Sequence, residues 1–333
     1  MSSTNIDLFK ALWVTAHDGV YKREIVDRSI ADLPSNEVLI RVYYSSLNYK
    51  DALSASGNRG VTRRYPHTPG IDCSGIVVSS NSEKFSAGDK VIVTGFDLGM
   101  NTSGGFGQYI CVSADWIVPL PETMDLKTAM LYGTAGFTAA QCVEKITSNL
   151  SPNDGQILIT GVTGGVGCTS AAILHKLGYS VTGLTGKPDN RLLKQIGVDS
   201  VISREDFVVS SAKALLRERW AGVIDTVGGD ILANAIKSTA YGGVVASCGN
   251  AASHELPITV YPFILRAVSL IGIDSAQTPV QRRSYIWGKL ADEWKVENIE
   301  QLCVEIKLPE LSGFIDLMLE GKLAGRVVVN LGV

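Results

Sequence analysis

The sequence predicts a two-domain α/β protein: an antiparallel, barrel-like unit followed by a doubly wound parallel sheet with helices on both faces. Its 333 residues exceed the size at which a single core usually stops growing, so two domains are expected. Up to about residue 121 the chain consists of short β-branched and aromatic runs separated by turn residues. From about residue 125 apolar runs alternate with segments of helical period, the pattern of a parallel sheet. A composition of 45% hydrophobic and 19% charged residues fits a well-buried globular chain rather than a disordered one.

In the first part, 38–44 (VLIRVYY), 75–79 and 90–94 read as strands, with turns at Asn81-Ser82 and Ala87-Gly88-Asp89. The stretch Ser103-Gly104-Gly105-Phe106-Gly107 leads into a further strand over 108–112. Residues 126–144 have helical recurrence interrupted at Gly133 and Gly136. After Ser151-Pro152-Asn153-Asp154-Gly155, the pattern predicts strands at 156–160, 180–185, 200–203, 223–226 and 244–248. Helices are expected between them at 165–177, 189–196, 204–219 and 231–239. In the tail, 269–272 reads as a last sheet strand, 282–294 as a helix and 326–330 (RVVVN) as a closing strand that can return to the first domain. The expected division is 1–124, 125–275 and a returning segment 276–333.

A net charge of −3 gives no general electrostatic reason to bind nucleic acid or an anionic membrane. The six cysteines are scattered, no C-x-x-C occurs, and the four histidines lie far apart, so neither a disulfide framework nor a zinc-ribbon spacing can be read. The start, MSSTNIDLFKALW, lacks the basic and apolar regions of a signal peptide. No run of about 18 apolar residues marks a spanning helix. These features predict a cytoplasmic protein.

The segment Ile157-Leu158-Ile159-Thr160-Gly161-Val162-Thr163-Gly164-Gly165-Val166-Gly167 is a buried-strand pattern running through glycines into a helix. Pyrophosphate is anionic, and a helix N-terminus offers free N–H groups and a positive dipole end. The glycines let backbone approach the phosphates and let helix pack closely on strand. Val162 departs from the G-x-G-x-x-G fingerprint, and a glycine-rich turn of any α/β domain is the plainer reading; the flanking βα repeats favour a dinucleotide site at Thr163, Gly164, Gly165, Val166 and Gly167. The second strand ends in Thr185-Gly186-Lys187 where NAD-preferring folds usually carry an acid for the ribose. A hydroxyl, a glycine and a cation suit a 2′-phosphate, so NADPH is expected; a solvated lysine before a helix starting at Asp189 is the alternative. Ser247, Gly249 and Asn250 follow a strand and should lie at the carboxyl edge, with Leu270, Gly272 and Ile273 lining the nicotinamide side.

Several stretches together resemble a known family: Ser45-Ser46-Leu47-Asn48-Tyr49-Lys50-Asp51-Ala52-Leu53, His67-Thr68-Pro69-Gly70-Ile71-Asp72, Gly133-Thr134-Ala135-Gly136-Phe137-Thr138-Ala139, the TGVTGGVG loop, Ile224-Asp225-Thr226-Val227-Gly228-Gly229 and Pro262-Phe263-Ile264-Leu265-Arg266. They are similar to the YhdH/YhfP branch of the zinc-independent medium-chain dehydrogenase/reductases, whose members are named quinone oxidoreductases and acrylyl-CoA reductases. The resemblance spans nearly the whole chain in order. It implies a GroES-like catalytic domain formed by the N-terminal part and the tail, a Rossmann-fold NADPH domain between them, and a homodimer whose cofactor-domain sheets join. Zinc enzymes of the superfamily carry Cys where this chain has Asn48 and His-Glu where it has Ile71-Asp72, so no metal is expected.

A reductase without zinc must polarise its acceptor with hydrogen-bond donors. The resemblance assigns this work to Asn48 through its amide, to Tyr49 as a cap over cofactor or substrate, to Asp51 through a water relay, and to Asp72 and Arg326 as a charge pair near the nicotinamide. It also places Thr134, Thr138 and Asn330 with the cofactor residues. Each has a plainer reading. Asn48 and Asp51 can form a capping box, the threonines can bond back within their helix, and Arg326 can be a surface residue starting a strand. Arg59, Arg63 and Arg64, and also Arg282 and Arg283, can hold coenzyme A phosphates or can be solvated surface charge. Three functions stay open: an NADPH-dependent acrylyl-CoA reductase, an NADPH:quinone or enone reductase, and an NADPH-binding redox sensor without catalysis.

Overall fold

The computed structural model describes residues 8–187, 191–207 and 213–332. The expected helix start at Asp189 and part of the expected 204–219 helix lie outside these residues. In chain order come β1 (Leu8–His17), β2 (Val20–Ser29), β3 (Val38–Leu47), α1 (Tyr49–Ala55), β4 (Asp72–Ser80), β5 (Lys90–Thr94), β6 (Tyr109–Val112), β7 (Ile117–Pro119) and α2 (Leu126–Thr147). The alternating part holds β8 (Ile157–Thr160), α3 (Gly165–Lys176), β9 (Val181–Thr185), α4 (Arg191–Gln195), β10 (Ser200–Ser203), α5 (Arg204–Phe207), β11 (Trp220–Asp225), α6 (Gly229–Lys237), β12 (Thr239–Ser247), α7 (Tyr261–Arg266) and β13 (Ser269–Gly272). The tail adds α8 (Val280–Ala291), β14 (Cys303–Lys307), α9 (Leu311–Leu319) and β15 (Arg326–Asn330).

The chain forms two compact units, one of Met1–Thr134, Ala276–Ala291 and Ile299–Val333, the other of Ala135–Ser275 and Asp292–Asn298. In the first, the strands run in the order β14-β15-β3-β4-β5-β7, with β6 also paired to β3. Alternate residues of β3, Val38, Ile40 and Val42, point into a core shared with Val91, Val93, Ile110, Val327 and Val329. β15 lies antiparallel to β3, with Val327 beside Leu47 and Val328 beside Ser46, and parallel to β14. The last strand is therefore interior to the sheet, which explains its unbroken run of valines: Val327, Val328 and Val329 are all buried.

The second unit is a six-stranded parallel sheet in the order β10-β9-β8-β11-β12-β13. β8 and β11 are buried along their whole length, as central parallel strands covered on both faces should be. The order turns back between β8 and β11, and crevices at such switch points bind ligands.

Three of the departures from expectation have a visible physical reason. Of the expected 204–219 helix, Arg204–Phe207 is helical, and residues 213–219 are not, because Leu216 and Arg219 donate their N–H groups to the carbonyls of Lys237 and Ser238 at the end of α6. Of the two glycines in α2 only Gly133 breaks the helix. The hairpin of β1 and β2 has no counterpart in the sequence reading, since β2 (VYKREIVDRS) is mostly polar and only partly covered. Because Val328 has no exposed surface, Val328→Ala should lower the free energy of unfolding by about 1–3 kcal/mol. Urea denaturation checks this; an unchanged midpoint would show that β15 contributes little to the unit.

Candidate active site

The first unit encloses a polar cluster built by four segments. Asp72, first residue of β4, has no solvent exposure. Its Oδ1 accepts from the Ser46 N–H (3.1 Å) and hydroxyl (2.9 Å) on β3. Its Oδ2 accepts from Asn48 Nδ2 (3.0 Å), the Ser46 hydroxyl (2.8 Å) and the Thr134 N–H (2.7 Å). Arg326, 3% exposed at the start of β15, donates to the Asn48 Oδ1 (3.1 Å), to the Leu131 carbonyl (3.3 Å) and to the Ser46 hydroxyl. The expected Asp72–Arg326 charge pair is not direct: the Ser46 hydroxyl and the Asn48 amide stand between the two groups. Ser46 thus holds a place that only its presence in the family-like stretch could have signalled.

Gly133 makes this closure possible. Its φ of 52° and ψ of −158° break α2 and aim the next N–H, that of Thr134, at Asp72. A Cβ at position 133 would collide with Ser46 Oγ, with Arg326 and with the Asp72 carboxylate. Only glycine satisfies both the backbone angle and the space.

Two expected roles change. Both amide hydrogens of Asn48 are taken up by Asp72, Asp51 (3.2 Å) and the Ser46 carbonyl (3.2 Å), so this residue has none left for an acceptor oxygen. Asp51 is fully enclosed, accepting from the N–H groups of Asn48 (2.8 Å) and Ile71 (2.7 Å). It caps α1 and ties the helix to the approach to β4. Burial first, and the Asp72 carboxylate next, push the Asp51 carboxyl up to about 7 from an ordinary 3.8. Tyr49 differs from all of these. It opens α1 beside the cluster, its side chain is 51% exposed, and its hydroxyl has no partner among the described residues.

Arg59, Arg63 and Arg64 are exposed and make no ion pair among the described residues. Their loop is pinned: Arg63 N–H donates to Asn101 Oδ1 (3.2 Å), and His67 Nε2 bonds the Gly99 carbonyl (2.9 Å). Arg283 cannot bind a phosphate as expected, because it is completely buried. It donates to Thr94 (2.7 Å) and to the carbonyls of Ala276 (2.8 Å) and Thr278 (2.9 Å), with Phe96 stacked on its guanidinium. Asn330 sits at the far end of β15 from Arg326, its amide spent on Glu305 (2.7 Å) and the Gly332 N–H (3.0 Å). This ties β15 to Glu305 of β14.

In the second unit the 160–167 loop turns β8 into α3. A Cβ on Gly167 would stand 2.5 Å from the Gly161 carbonyl oxygen, so glycine is needed for the helix to approach the strand. The valine that breaks the fingerprint is accommodated differently: Val162 turns its buried side chain onto Gly183 of β9. Gly164, Gly165 and Val166 stay at the surface, where the first turn of α3 leaves N–H groups without helical acceptors. Beneath the loop, Asp225 accepts from the Thr160 hydroxyl (2.6 Å) and the Gly228 N–H (2.9 Å), and its carboxyl is raised by burial against the pull of these donors. In the sequence Asp225 reads as part of a strand, so this brace is visible only in the fold.

Ser247, Gly249, Asn250, Gly272 and Ile273, with Cys248 and Asp274, line one cleft of about 590 Å³. Leu270 does not join them; it is exposed on the edge strand β13, alongside Val245. Thr163 and Thr185 are both buried and share a hydrogen bond (3.1 Å), and the Thr185 hydroxyl also accepts from the Lys187 N–H (3.0 Å). Thr138 is buried on α2. Among the described residues no group of three or more His, Cys, Asp and Glu could hold a metal ion.

The fold and the switch-point loop define a dinucleotide-binding dehydrogenase/reductase. Residues 34–122 match the alcohol dehydrogenase GroES-like domain, and residues 165–287 match the family described as zinc-binding dehydrogenase. The chain belongs to the medium-chain dehydrogenase/reductase family, in its YhdH/YhfP branch. It is 40% identical to the acrylyl-CoA reductase AcuI of Ruegeria pomeroyi over 97% of this chain and 99% of that protein. The structure of YhdH from Escherichia coli K-12 with bound NADPH superposes with a TM-score of 0.92 at 39% identity, over 97% of this chain and all (100%) of that one. YhfP of Bacillus subtilis, provisionally named a quinone oxidoreductase, was solved with NAD bound and gives a TM-score of 0.92 at 43% identity, over 97% and 99% of the two chains.

Gly133→Ala should cost about 2 kcal/mol or more of stability and most of the activity, read by denaturation and turnover. A fully stable, active variant would refute the closure argument. Asp51 tests the pH dependence. Its folded value of about 7 lies above 3.8, so its stabilisation is complete below the lower value and is lost as pH rises through the higher one. The stability difference between wild type and Asp51→Asn should therefore shrink from about pH 4 to about pH 8. A difference that stays constant would show that Asp51 does not titrate there.

Proposed function

We propose that this protein is an NADPH-dependent reductase of an activated C=C bond, with acrylyl-CoA as the acceptor and propionyl-CoA as the product. The observation that carries the cofactor is the 160–167 loop at the switch point of the parallel sheet, backed by a second-strand end with Lys187 and no carboxylate at Thr185 or Gly186. Gly164, Gly165, Val166 and Gly167 would hold the pyrophosphate and the Ser247–Asn250 and Gly272–Asp274 cleft the nicotinamide half. When bound, NADPH supplies the hydride that the β-carbon of the acceptor takes up. YhdH was solved with NADPH, which supports the same cofactor here.

For the acceptor, negative charge grows on the thioester oxygen and a proton must reach the α-carbon. Asn48 is hydrogen-bonded to both Asp72 and Arg326 and all three are buried, so their role is to fix the N-terminus of α1. Tyr49, on the first turn of that helix with its hydroxyl uncommitted, donates to the developing oxyanion. Arg59, Arg63 and Arg64 form a pinned, exposed cationic loop suited to coenzyme A phosphates. The name of the AcuI relative supports the thioester; that of YhfP supports the second reading, a quinone acceptor.

The same reading makes the protein cytoplasmic and homodimeric; no helix among the described residues is long and apolar enough to cross a membrane. The edge strand β13 and the exposed Tyr261, Ile264 and Leu265 of α7 supply a face for a second copy. NADPH oxidation with acrylyl-CoA, crotonyl-CoA and a quinone side by side should show the highest kcat/KM for acrylyl-CoA. Tyr49→Phe should lower kcat about a hundredfold with little change in NADPH affinity. Turnover of quinones alone would exclude the thioester, and a fully active Tyr49→Phe would remove the phenol from the chemistry.

A further inference from the structure

The parallel register of β9 and β10 sets Ser203 beside Thr185, so the following residues, Arg204 and Gly186, meet across the strand ends. The Arg204 guanidinium lies against Gly186: its Cζ and Nη2 are each 3.9 Å from where a Cβ would stand on that glycine. Arg204 is exposed and has neither a hydrogen bond nor an ion pair among the described residues. The acids beside it do not neutralise it. Asp206 is engaged by the Ser203 hydroxyl (2.6 Å), and Glu205 makes no ion pair with it.

The Thr185 hydroxyl, by contrast, is buried and committed to Thr163 and to the Lys187 N–H. The neutral hydroxyl expected to meet a ribose phosphate is therefore spent on shaping the turn. What the strand ends present outward is the bare backbone of exposed Gly186 and the exposed Arg204 guanidinium fork. A carboxylate at Gly186 would have taken the 2′-hydroxyl of NAD; its absence leaves space beside the Arg204 guanidinium. A guanidinium matches a phosphate monoester through paired N–H donors, which a lone ammonium cannot do.

We propose that Arg204, the first residue of α5 directly after the strand beside the one that carries the ribose motif, binds the 2′-phosphate of NADPH and sets the preference for NADPH over NADH. This rests on the NADPH reading above and adds the residue that enforces it. It also gives a physical criterion for cofactor choice in a branch with one relative solved with NADPH and another with NAD.

The test measures binding of adenosine 2′,5′-bisphosphate and 5′-AMP, together with KM for NADPH and NADH, in wild type, Arg204→Ala and Arg204→Lys. Wild type should bind the bisphosphate at least about tenfold more tightly than 5′-AMP. Arg204→Ala should lose about tenfold or more for the bisphosphate and NADPH, with 5′-AMP and NADH within about twofold of wild type. Arg204→Lys should recover only part of the loss. Unchanged 5′-AMP binding shows that the variant is folded. If wild type prefers the bisphosphate and Arg204→Ala keeps that preference, or loses both ligands equally, the role of Arg204 is overturned. If wild type itself binds the two alike, the NADPH reading fails and this inference falls with it.

Discussion

Asp72 is a carboxylate with no access to water, and much of the first unit is arranged to satisfy it. A buried charge is tolerated only when hydrogen bonds replace its lost hydration. The donors come from β3, from the residue before α1 and from the break in α2, while Arg326 reaches the same group of side chains from β15. Elements far apart in sequence are held in one register by a single anion. Losing one partner of such a group typically costs about 3–5 kcal/mol, because the remainder is left buried and unpaired. The left-handed angle at Gly133 is the local cost of bringing the last donor into place.

This arrangement also divides labour among the candidate residues. The side chains richest in chemistry, Asn48, Asp51, Asp72 and Arg326, are turned inward and saturated. They make α1 rigid at its first turn, and Tyr49 projects from that turn. A similar logic holds in the second unit, where buried Asp225 and Thr160 brace the base of the nucleotide loop while the loop itself offers only backbone. In both units a buried aspartate at a strand end braces the backbone around it.

Much of the architecture was legible because it rests on local period. β5, β10, β13 and β15 span the residues that alternation and turn signals predict, and the closing strand, which after so long an excursion can return to the first unit, pairs there with β3. The 160–167 loop was readable despite Val162, whose accommodation by Gly183 is a contact between strands that no local pattern encodes. The 204–219 helix failed because tertiary hydrogen bonds to the end of α6 override propensity there. Within the site, residue identities were visible but their orientation was not. Asn48 and Asp51 form a capping pair in sequence, yet only the packing shows that the Asn48 amide turns toward Asp72 and Arg326. Arg283 reads as a surface cation and proves to be an internal strut, whereas Arg204, unremarked in sequence, is exposed against Gly186.

In the proposed reaction hydride passes from the reduced dinucleotide to the β-carbon of an enoyl thioester while the α-carbon takes its proton from a donor in exchange with solvent. The most direct measurement is the position of label in the product formed from acrylyl-CoA and NADPH deuterated at the transferable hydrogen, in ordinary water. The account predicts one deuterium at the β-carbon of propionyl-CoA and none at the α-carbon, with the reverse pattern when unlabelled NADPH is used in heavy water. Label at the α-carbon, or a product without deuterium from the labelled cofactor, would contradict it.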